Sequence, residues 1–260
     1  MELRDRLNTR EGYLKLIENR NKFIIEDLED IKLLNSDSEK GIQTYSKPND
    51  EVIKSIRSTI LINYFDLIIL EYSIGQEVAR IKNTFIKLLV FMIDYWEEKS
   101  LDEFKFGDID EPFYSTDEYW QLLTIISFSI ILDLNDEYFE RLILIRDKVK
   151  GSDILLDFMI NSRFNREVKN SRLNSNKYLG LVEIIEKRES IEGIKEIENY
   201  LSNNWFKEYK EMGWVESHKS KHNIHKGYWS FESAAIVKIL KLDFNNQFQH
   251  QYYPGDLLSV

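Results

Sequence analysis

The chain has 260 residues, of which 43% are hydrophobic and 31% charged, with 10 glycines and 3 prolines. This composition favours a helix-rich globular protein and disfavours a disordered or turn-rich all-β chain. A net charge of −10 disfavours nucleic acid and anionic membranes as direct partners and favours a basic one. The sequence has no cysteine, which excludes disulfides and thiolate metal sites, and its first residues lack the apolar core of an export signal. Together these features predict a cytoplasmic protein.

The first predicted helix runs from about Thr9 to Leu34. Asn8 is its expected N-cap, because Glu11 follows three residues later in the capping-box position. Apolar residues then recur at helical spacing and leave charged residues for solvent. Residues 35–50 are polar and predict an exposed loop that ends in a cap at Asn49 or Asp50.

The second predicted helix extends to about Ser73 and is apolar around much of its circumference, which is typical of a central helix. Gly75 suits the position just after its C-terminus. A third amphipathic helix follows over residues 78–96. These helices predict an antiparallel N-terminal bundle.

An acidic segment, Glu97 to Glu118, separates the two halves of the chain. It carries nine acidic residues and two lysines, and so seven of the ten excess negative charges. Gly107 and Pro112 interrupt it, which predicts a boundary between domains at residues 1–114 and 115–260. It is either a solvated linker or an interface that uses carboxylates and aromatic anchors. The predicted partner-binding residues are Asp102, Glu103, Phe106, Asp108, Asp110, Glu111 and Phe113.

The C-terminal half is predicted to contain more and shorter helices. Ser115 and Glu118 form a capping-box pattern before the apolar run Leu122–Leu132, which is far shorter than the roughly 20 residues of a membrane span and predicts a buried helix. Asn135 is the expected cap of the next helix. Further helices are expected over residues 153–160, 177–187, 191–202 and 204–211. The predicted fold is all-α, with the N-terminal bundle packed on a C-terminal multi-helix domain.

Three histidines form the one cluster that resembles a metal site: His218, His222 and His225 would share one side of a helix. Carboxylate ligands could come from Glu211, Glu216 or Glu232. Neighbouring lysines 219, 221 and 226 disfavour a divalent cation, and the HExxH pattern is absent. We therefore expect surface or capping histidines, with no catalytic metal and no cofactor. The chain also lacks nucleophile and phosphate-loop motifs, so we expect no catalytic residue.

The last 33 residues combine aromatic residues with a helix that has a small-residue face. We expect them to anchor the C-terminus to the core, because large aromatic side chains bury wide apolar areas. Trp229 and Phe231 are the predicted core anchors. The full structural motif is Gly227, Tyr228, Trp229, Phe231, Glu232, Tyr252, Tyr253, Pro254 and Asp256.

The stretch GYWSFESAAIVKILKLD, followed by YYPGDL, resembles the C-terminal signature of the PoNi family, immunity proteins that protect bacteria from PoNe-type DNase toxins. The preceding WFKEYKEMGWVESHKSKH resembles the approach to that signature, and residues 64–67 and 72–75 resemble the family's N-terminal domain. Gly255 departs from the pattern, in which an aromatic residue is expected after the proline. The resemblance implies a cognate nuclease toxin as partner and no enzymatic activity, without naming the contact residues.

Acidity fits such a partner, because a DNase presents a basic groove to the phosphate backbone and an acidic inhibitor can cover it. Blockade of the active site and binding beside it both remain open, as does the oligomeric state. Two other classes also remain open. One is a metal-dependent helical hydrolase that uses the histidine cluster, and the other is a general helical adaptor whose acidity serves solubility alone.

Overall fold

The computed structural model describes residues 2–99, 115–148, 153–166, 173, 176–188, 194–209, 212–242 and 249–258. Within these ranges the regular secondary structure is helical, so the predicted all-α fold is confirmed. No helix in the described ranges is long and apolar enough to cross a membrane. The chain forms two compact units. The first comprises Met1–Tyr95 and Glu216–Gly227, and the second comprises Trp96–Val215 and Tyr228–Val260.

Helix α1 spans Arg10–Glu39 and begins one residue later than the sequence pattern suggested. Its N-cap is Thr9, whose hydroxyl accepts a hydrogen bond from the backbone N–H of Gly12 at 3.0 Å. The prediction of Asn8 as the cap is wrong, because Asn8 Oδ1 accepts a hydrogen bond from the Thr9 N–H at 2.8 Å, while its Nδ2 donates to the backbone oxygen of His225 at 3.2 Å. The capping position one residue later is therefore left to Thr9.

The connection after α1 is shorter than the predicted loop over residues 35–50. Helix α1 continues to Glu39, and α2 spans Asn49–Ser73, which leaves residues 40–48 between them. Asn49 is the first residue of α2 and not its cap, and its side-chain amide donates to Ser38 Oγ at 3.2 Å. Polar residues on the exposed face of a helix do not end it. The polar composition of this stretch therefore led to a predicted end of α1, at Leu34, that is too early.

Helices α1 and α2 run antiparallel. The end of α1 meets the start of α2 through Ser38 and Asn49, while Arg20 near the start of α1 pairs with Asp66 of α2 at 2.9 Å. The two helices share an apolar core, and burial of its large side chains stabilises their packing. Its buried members are Tyr13, Leu16, Ile17, Ile24, Ile60, Leu67, Leu70 and Ile74.

Helix α3, Val78–Glu98, follows a turn at Gly75, which has a φ of +91° and confirms the predicted position just after α2. The Tyr95 hydroxyl, in the last turns of α3, donates to the backbone oxygen of Lys54 near the start of α2 at 3.3 Å. Helix α3 therefore runs antiparallel to α2, as the sequence predicted.

In the second unit, α4 spans Thr116–Ile131 and starts with the predicted capping box. Ser115 Oγ accepts from the Glu118 N–H at 3.3 Å, and the Glu118 carboxylate accepts from the Ser115 N–H at 3.3 Å. The apolar run Leu122–Leu132 is buried throughout, as expected for a core helix.

The shorter helices of this unit are α5 (Asp136–Asp147), α6 (Ile154–Asn161), α7 (Leu179–Glu186), α8 (Lys195–Tyr200), α9 (Phe206–Glu208) and α10 (Phe231–Leu240). Asn135 caps α5 as predicted. The two helices expected over residues 191–202 and 204–211 form one continuous run, because a π-helical turn at Leu201–Trp205 joins α8 to α9. Such a turn accommodates an extra residue without ending the helix.

Candidate functional site

The seven residues predicted to bind a partner, Asp102, Glu103, Phe106, Asp108, Asp110, Glu111 and Phe113, lie outside the described residues. The structure does describe both ends of the acidic segment. Lys99 and Glu118 form an ion pair at 3.0 Å, in which the two side chains are 14% and 16% exposed. Arg141 pairs with Glu97 at 3.0 Å, and this contact lowers the pKa of Glu97. The protein's own cations therefore neutralise these two end carboxylates.

Lys148 fixes the N-terminal end of the acidic segment to the second unit. Its ammonium donates to the backbone oxygens of Trp96, Glu97 and Lys99 at 2.8, 2.7 and 3.2 Å. These carbonyls belong to the last turn of α3 and the residue after it, where a cation is favoured by the helix dipole. Glu97 and Glu118, which pair with cations of the protein itself, therefore offer less charge to a partner than unpaired carboxylates would.

The aromatic motif near the C-terminus is built from two stretches that hydrogen bond to each other. The Ser230 N–H donates to the backbone oxygen of Tyr252 at 2.8 Å. Gly227 has a φ of +114°, a conformation that other residues rarely adopt, and it precedes the buried Tyr228. The motif is therefore a defined tertiary element, although the sequence separation of its two parts exceeds 20 residues.

Glu232 lies at the centre of this motif and is buried. Its Oε1 accepts hydrogen bonds from Trp205 Nε1 and from Ser230 Oγ, both at 2.7 Å. Burial raises the pKa of Glu232, against the opposing effect of the hydrogen bonds from Ser230 and Trp205. A buried carboxyl with these donors has a structural role, since it fixes the tryptophan relative to α10.

A cluster of aromatic rings surrounds this hydrogen bond. Trp205 and Tyr252 lie 4.8 Å apart between centroids, and Phe206 stacks on Tyr252 at 5.3 Å with an interplanar angle of 7°. Trp214 contacts Tyr228 at 5.7 Å. Sequence reasoning gave no role to Trp205, Phe206 or Trp214. All three lie in the stretch WFKEYKEMGWVESHKSKH, which precedes the C-terminal signature and resembles the family. That resemblance was the one indication in the sequence that they matter.

The individual anchors differ in burial. Phe231 is 3% exposed, and its ring lies 4.4 Å from that of Phe128 on α4, so it is a core anchor as predicted. Trp229 is only partly buried, so its role as a core anchor stays a prediction.

The tail motif packs mainly through two of its residues. Tyr253 and Pro254 are buried, and the Tyr253 N–H donates to the backbone oxygen of His250 at 2.9 Å. Burial raises the pKa of Tyr253 above its usual value. Gly255, where an aromatic residue was expected, starts the short 3₁₀ helix Gly255–Leu258, and Asp256 in that helix is exposed.

The three clustered histidines are not on one face of a helix, because Ser217–Lys219 is a single 3₁₀ turn and residues 220–230 are irregular. His222 is exposed, whereas His225 is 2% exposed and therefore not the surface residue expected. The described residues contain no group of three or more His, Asp or Glu side chains placed to hold a metal ion.

His225 instead belongs to a buried network in the first unit. Its Nδ1 lies 2.9 Å from Ser217 Oγ, and its Nε2 lies 3.3 Å from both carboxylate oxygens of Asp5. The Tyr13 hydroxyl donates to Asp5 at 2.6 Å. Burial acts to raise the pKa of Asp5, but the hydrogen bonds from His225 and Tyr13 outweigh it and hold that pKa below its usual value.

The segment Glu216–Gly227 is held on α2 by residues from the two N-terminal stretches that resemble the family. Lys226 pairs with Asp66, which also pairs with Arg20. The Ser73 hydroxyl donates to the Lys226 backbone oxygen at 2.6 Å. Both stretches, residues 64–67 and 72–75, therefore supply partners for a segment about 150 residues later in the chain.

The described site is an assembly of aromatic and ion-paired side chains that fix distant segments to one another, with an acidic segment fixed at both ends. These side chains place the chain in the class of all-helical proteins whose distant segments are joined by buried polar and aromatic contacts. Residues 4–144 match the family model described as "PoNe immunity protein (PoNi), N-terminal", and residues 151–257 match "PoNe immunity proteins (PoNi), C-terminal". The chain belongs to the PoNi family, the immunity proteins against PoNe nuclease toxins. No curated protein and no solved structure matches it.

Proposed function

We propose that this protein acts without catalysis, in the cytoplasm, by binding a cognate PoNe nuclease toxin directly. The observation that carries the proposal is the pair of family matches, over residues 4–144 and 151–257. Asp66, Ser73 and Glu232 lie in the stretches that resemble the family, and each forms a hydrogen bond to a distant part of the chain. These bonds support the proposal, because the residues that carry the resemblance also hold the fold together.

The charge of the protein suits such a partner. A nuclease binds the phosphate backbone with cationic side chains, so an inhibitor with a net charge of −10 is attracted to the same surface. Complementary charge accelerates encounter, and it disfavours direct binding of the inhibitor to DNA or to an anionic membrane. In this proposal, the negative charge attracts the toxin and also favours solubility.

The proposed interface is the middle of the acidic segment: Asp102, Glu103, Phe106, Asp108, Asp110, Glu111 and Phe113. The pairing of Glu97 with Arg141 and of Glu118 with Lys99 supports this choice, because the end carboxylates already have cationic partners. The segment between them also lies at the proposed boundary of domains 1–114 and 115–260. A solvated linker remains the alternative for this segment.

Catalysis by the histidine cluster is not the proposal, because the geometry gives His225 another role. Its ring contacts Ser217 and Asp5 in a buried network, whereas His222 is exposed. A hydrolytic metal would need three or four converging ligands with an open position.

Growth of cells that co-express a cognate PoNe toxin with this protein tests the proposal. We expect full rescue by the wild-type protein and a stable complex of the two proteins on size exclusion. Pre-incubation of the toxin with excess DNA separates the two modes of inhibition. Blockade of the groove predicts competition, and binding beside it predicts a ternary complex. Toxicity that persists while the protein is folded and abundant would refute the proposal.

A further inference from the structure

A cleft of about 340 Å³ lies within the first unit, where the start of α1 faces the segment Glu216–Gly227. Its lining comes from two parts of the chain, residues 7–15 and residues 217–225. The volume falls within the roughly 300–1,000 Å³ of pockets that hold small ligands. The proposed toxin interface uses neither part, so the cleft has no role in the proposed function.

Amide contacts hold the two walls of this cleft together. Asn8 Nδ2 donates to Asn223 Oδ1 at 2.9 Å, and Asn223 Nδ2 donates to the backbone oxygen of Gly12 at 2.8 Å. A Cβ atom at Gly12 would lie 2.2 Å from Oδ1 of Asn8, so glycine makes room for that side chain. The buried His225, which also lines the cleft, is held by Ser217. The cleft is therefore pre-formed in the free protein, as ligand pockets usually are.

The charge around the cleft is opposite to that of the protein as a whole. Lys15 lines it from α1 and Lys221 from the facing segment, whereas Glu11 is the one carboxylate among the described lining residues. Two lysines against one carboxylate reverse the balance of the chain, whose net charge is −10. His218 and His222 also line the cleft, and each imidazole can donate a hydrogen bond. Positive potential in a cleft attracts anions, so this lining favours an anionic ligand.

Both lysines of the cleft are available to a ligand. Lys15 and Lys221 are exposed, and neither forms an ion pair among the described residues. Lys219 differs, because its ammonium pairs with Glu216 at 2.6 Å and it does not line the cleft. The cations that face the cleft are thus the ones that the protein leaves without a carboxylate.

Two hydroxyl groups add neutral donors. Thr9 and Ser220 line the cleft from opposite walls, and each oxygen already accepts a backbone N–H, from Gly12 at 3.0 Å and from His222 at 3.1 Å. Each hydroxyl still has its own hydrogen to donate, because it combines one donor with two acceptor lone pairs. The cleft therefore offers charged and neutral donors on both of its walls.

We propose that this cleft binds a small phosphate ester. A phosphate monoester carries a charge of about −1.5 to −2 at pH 7 and three strong acceptor oxygens, which can meet donors on both walls at once. A carboxylate has a single charge and two oxygens in one plane, so it can use fewer of these donors. The cleft is also larger than a phosphate ion needs. Its exposed apolar side chains, Leu7 and Ile224, can cover the organic part of an ester.

Calorimetric titration of the free protein tests the proposal with inorganic phosphate, thymidine 5′-monophosphate and acetate as probes. We expect a single saturable site for phosphate at about 0.1 M ionic strength, tighter binding of the nucleotide and weaker binding of acetate. Absence of saturable binding by both phosphate probes would overturn the proposal. Acetate that binds as tightly as phosphate would exclude a phosphate site, and a nucleotide that binds no more tightly than phosphate would exclude an ester.

Two lysine variants test which side chains form the site. Lys15→Gln and Lys221→Gln should each weaken phosphate binding at least about threefold in Kd, the size expected for an exposed pair of charges. The matched control is Lys32→Gln, the same change at an exposed residue of α1 that does not line the cleft. Lys32 lies about 25 Å farther along the helix than Lys15, beyond a Debye length of about 10 Å. Unchanged affinity in both cleft variants, or an equal loss in the control, would overturn the site.

The carboxylate of the cleft provides a test in the opposite direction. Glu11→Gln removes a negative charge beside the ligand, so we expect it to tighten phosphate binding at least about twofold in Kd. Glu29→Gln, at an exposed residue of α1 outside the lining, is its control and should bind like the wild-type protein. Weaker binding by Glu11→Gln would contradict an anionic ligand in this cleft.

Thermal melts separate binding from folding. The substituted side chains are exposed, so each variant should melt close to the wild-type temperature. A lower melting temperature in both lysine variants would show that these side chains support the fold, and it would overturn their role as cations for a ligand. The titrations need no toxin, so this inference and the proposed function fail separately. A protein that binds no phosphate probe but protects against the toxin refutes the cleft proposal alone. A protein that binds phosphate but does not neutralise the toxin refutes the immunity function alone.

Discussion

The indole N–H of Trp205 donates to the carboxylate of Glu232 at 2.7 Å in the interior of the second unit. This bond joins the π-helical turn that precedes α9 to the first turn of α10, 27 residues later. Ser230 donates to the same oxygen, so the carboxyl group satisfies two buried donors at once. The signature stretch is thus held by one buried acidic group among aromatic rings.

We predict that Glu232 causes the free energy of unfolding to fall as pH rises. Its pKa is raised in the folded protein, so the unfolded chain loses the proton first and stability declines from about pH 4.3 through the raised value. The Glu232→Gln protein should lack this decline. Its free energy of unfolding should therefore rise relative to that of the wild-type protein as pH increases. Urea unfolding of both proteins between pH 4 and pH 8 measures the difference, and parallel curves would contradict the raised pKa.

Asp5 should have the opposite pH dependence. Its lowered pKa contributes stability above the usual pKa of an aspartic acid, and that contribution is lost as pH falls through the folded value. Asp5→Ala should cost about 1–3 kcal/mol at neutral pH, because it leaves the Tyr13 hydroxyl without its acceptor. The deficit should shrink in acid. Chemical denaturation at pH 7 and pH 3 provides the comparison, and an equal deficit at both would be evidence against an ionised Asp5.

The two aromatic residues at the start of α10 should differ in their effect on stability. Phe231→Ala removes a ring packed on Phe128 and should cost about 3–5 kcal/mol. Trp229→Ala should cost less, because Trp229 is only partly buried. Thermal melts of both variants are the measurement. A Trp229→Ala protein that melts like the wild-type protein but does not bind toxin would assign Trp229 to the interface.

The acidic segment should control how fast the toxin binds. Replacing Asp102, Glu103, Asp108, Asp110 and Glu111 together with Asn or Gln should slow association and flatten its salt dependence. The reason is that long-range steering is screened within about 8 Å at physiological ionic strength. Association rates at two salt concentrations provide the measurement. Stability should hardly change, and an unchanged rate would leave the segment a linker.

Aromatic residues in the same segment should act on dissociation. Phe106→Ala or Phe113→Ala should raise the dissociation rate if the partner buries that ring, because contacts made in the complex mainly set its lifetime. Leu144→Ala, at a 65% exposed position on α5, is a control for loss of an exposed apolar side chain. Equal dissociation rates for all three variants would exclude a hot spot at either phenylalanine.

Removal of metal should have no effect on this protein. The described residues hold no cluster of metal ligands, and His225 is engaged with Ser217 and Asp5. Dialysis against a chelator is expected to leave both the melting temperature and protection of co-expressing cells unchanged. Elemental analysis checks the same point. One tightly bound equivalent of zinc, lost together with protection in His222→Ala, would overturn this expectation.

The sequence by itself determined the features that depend on neighbouring residues. Helical periodicity gave the all-α fold, and the capping pattern of Ser115 and Glu118 gave the start of α4, because both report local backbone geometry. The same holds for Gly75, whose positive φ ends α2. The aromatic signature near the C-terminus likewise carried the family resemblance, which the family models confirm.

Only the tertiary structure decided which residues meet across the chain. The Asn8 amide donates to the backbone oxygen of residue 225, and His225 is buried where Asp5 and Ser217 are partners for its ring. Spacing could not predict these contacts, since they join residues more than 200 positions apart in two of the three cases. Burial of a polar group depends on the partners that folding brings to it, and a sequence pattern records only its neighbours.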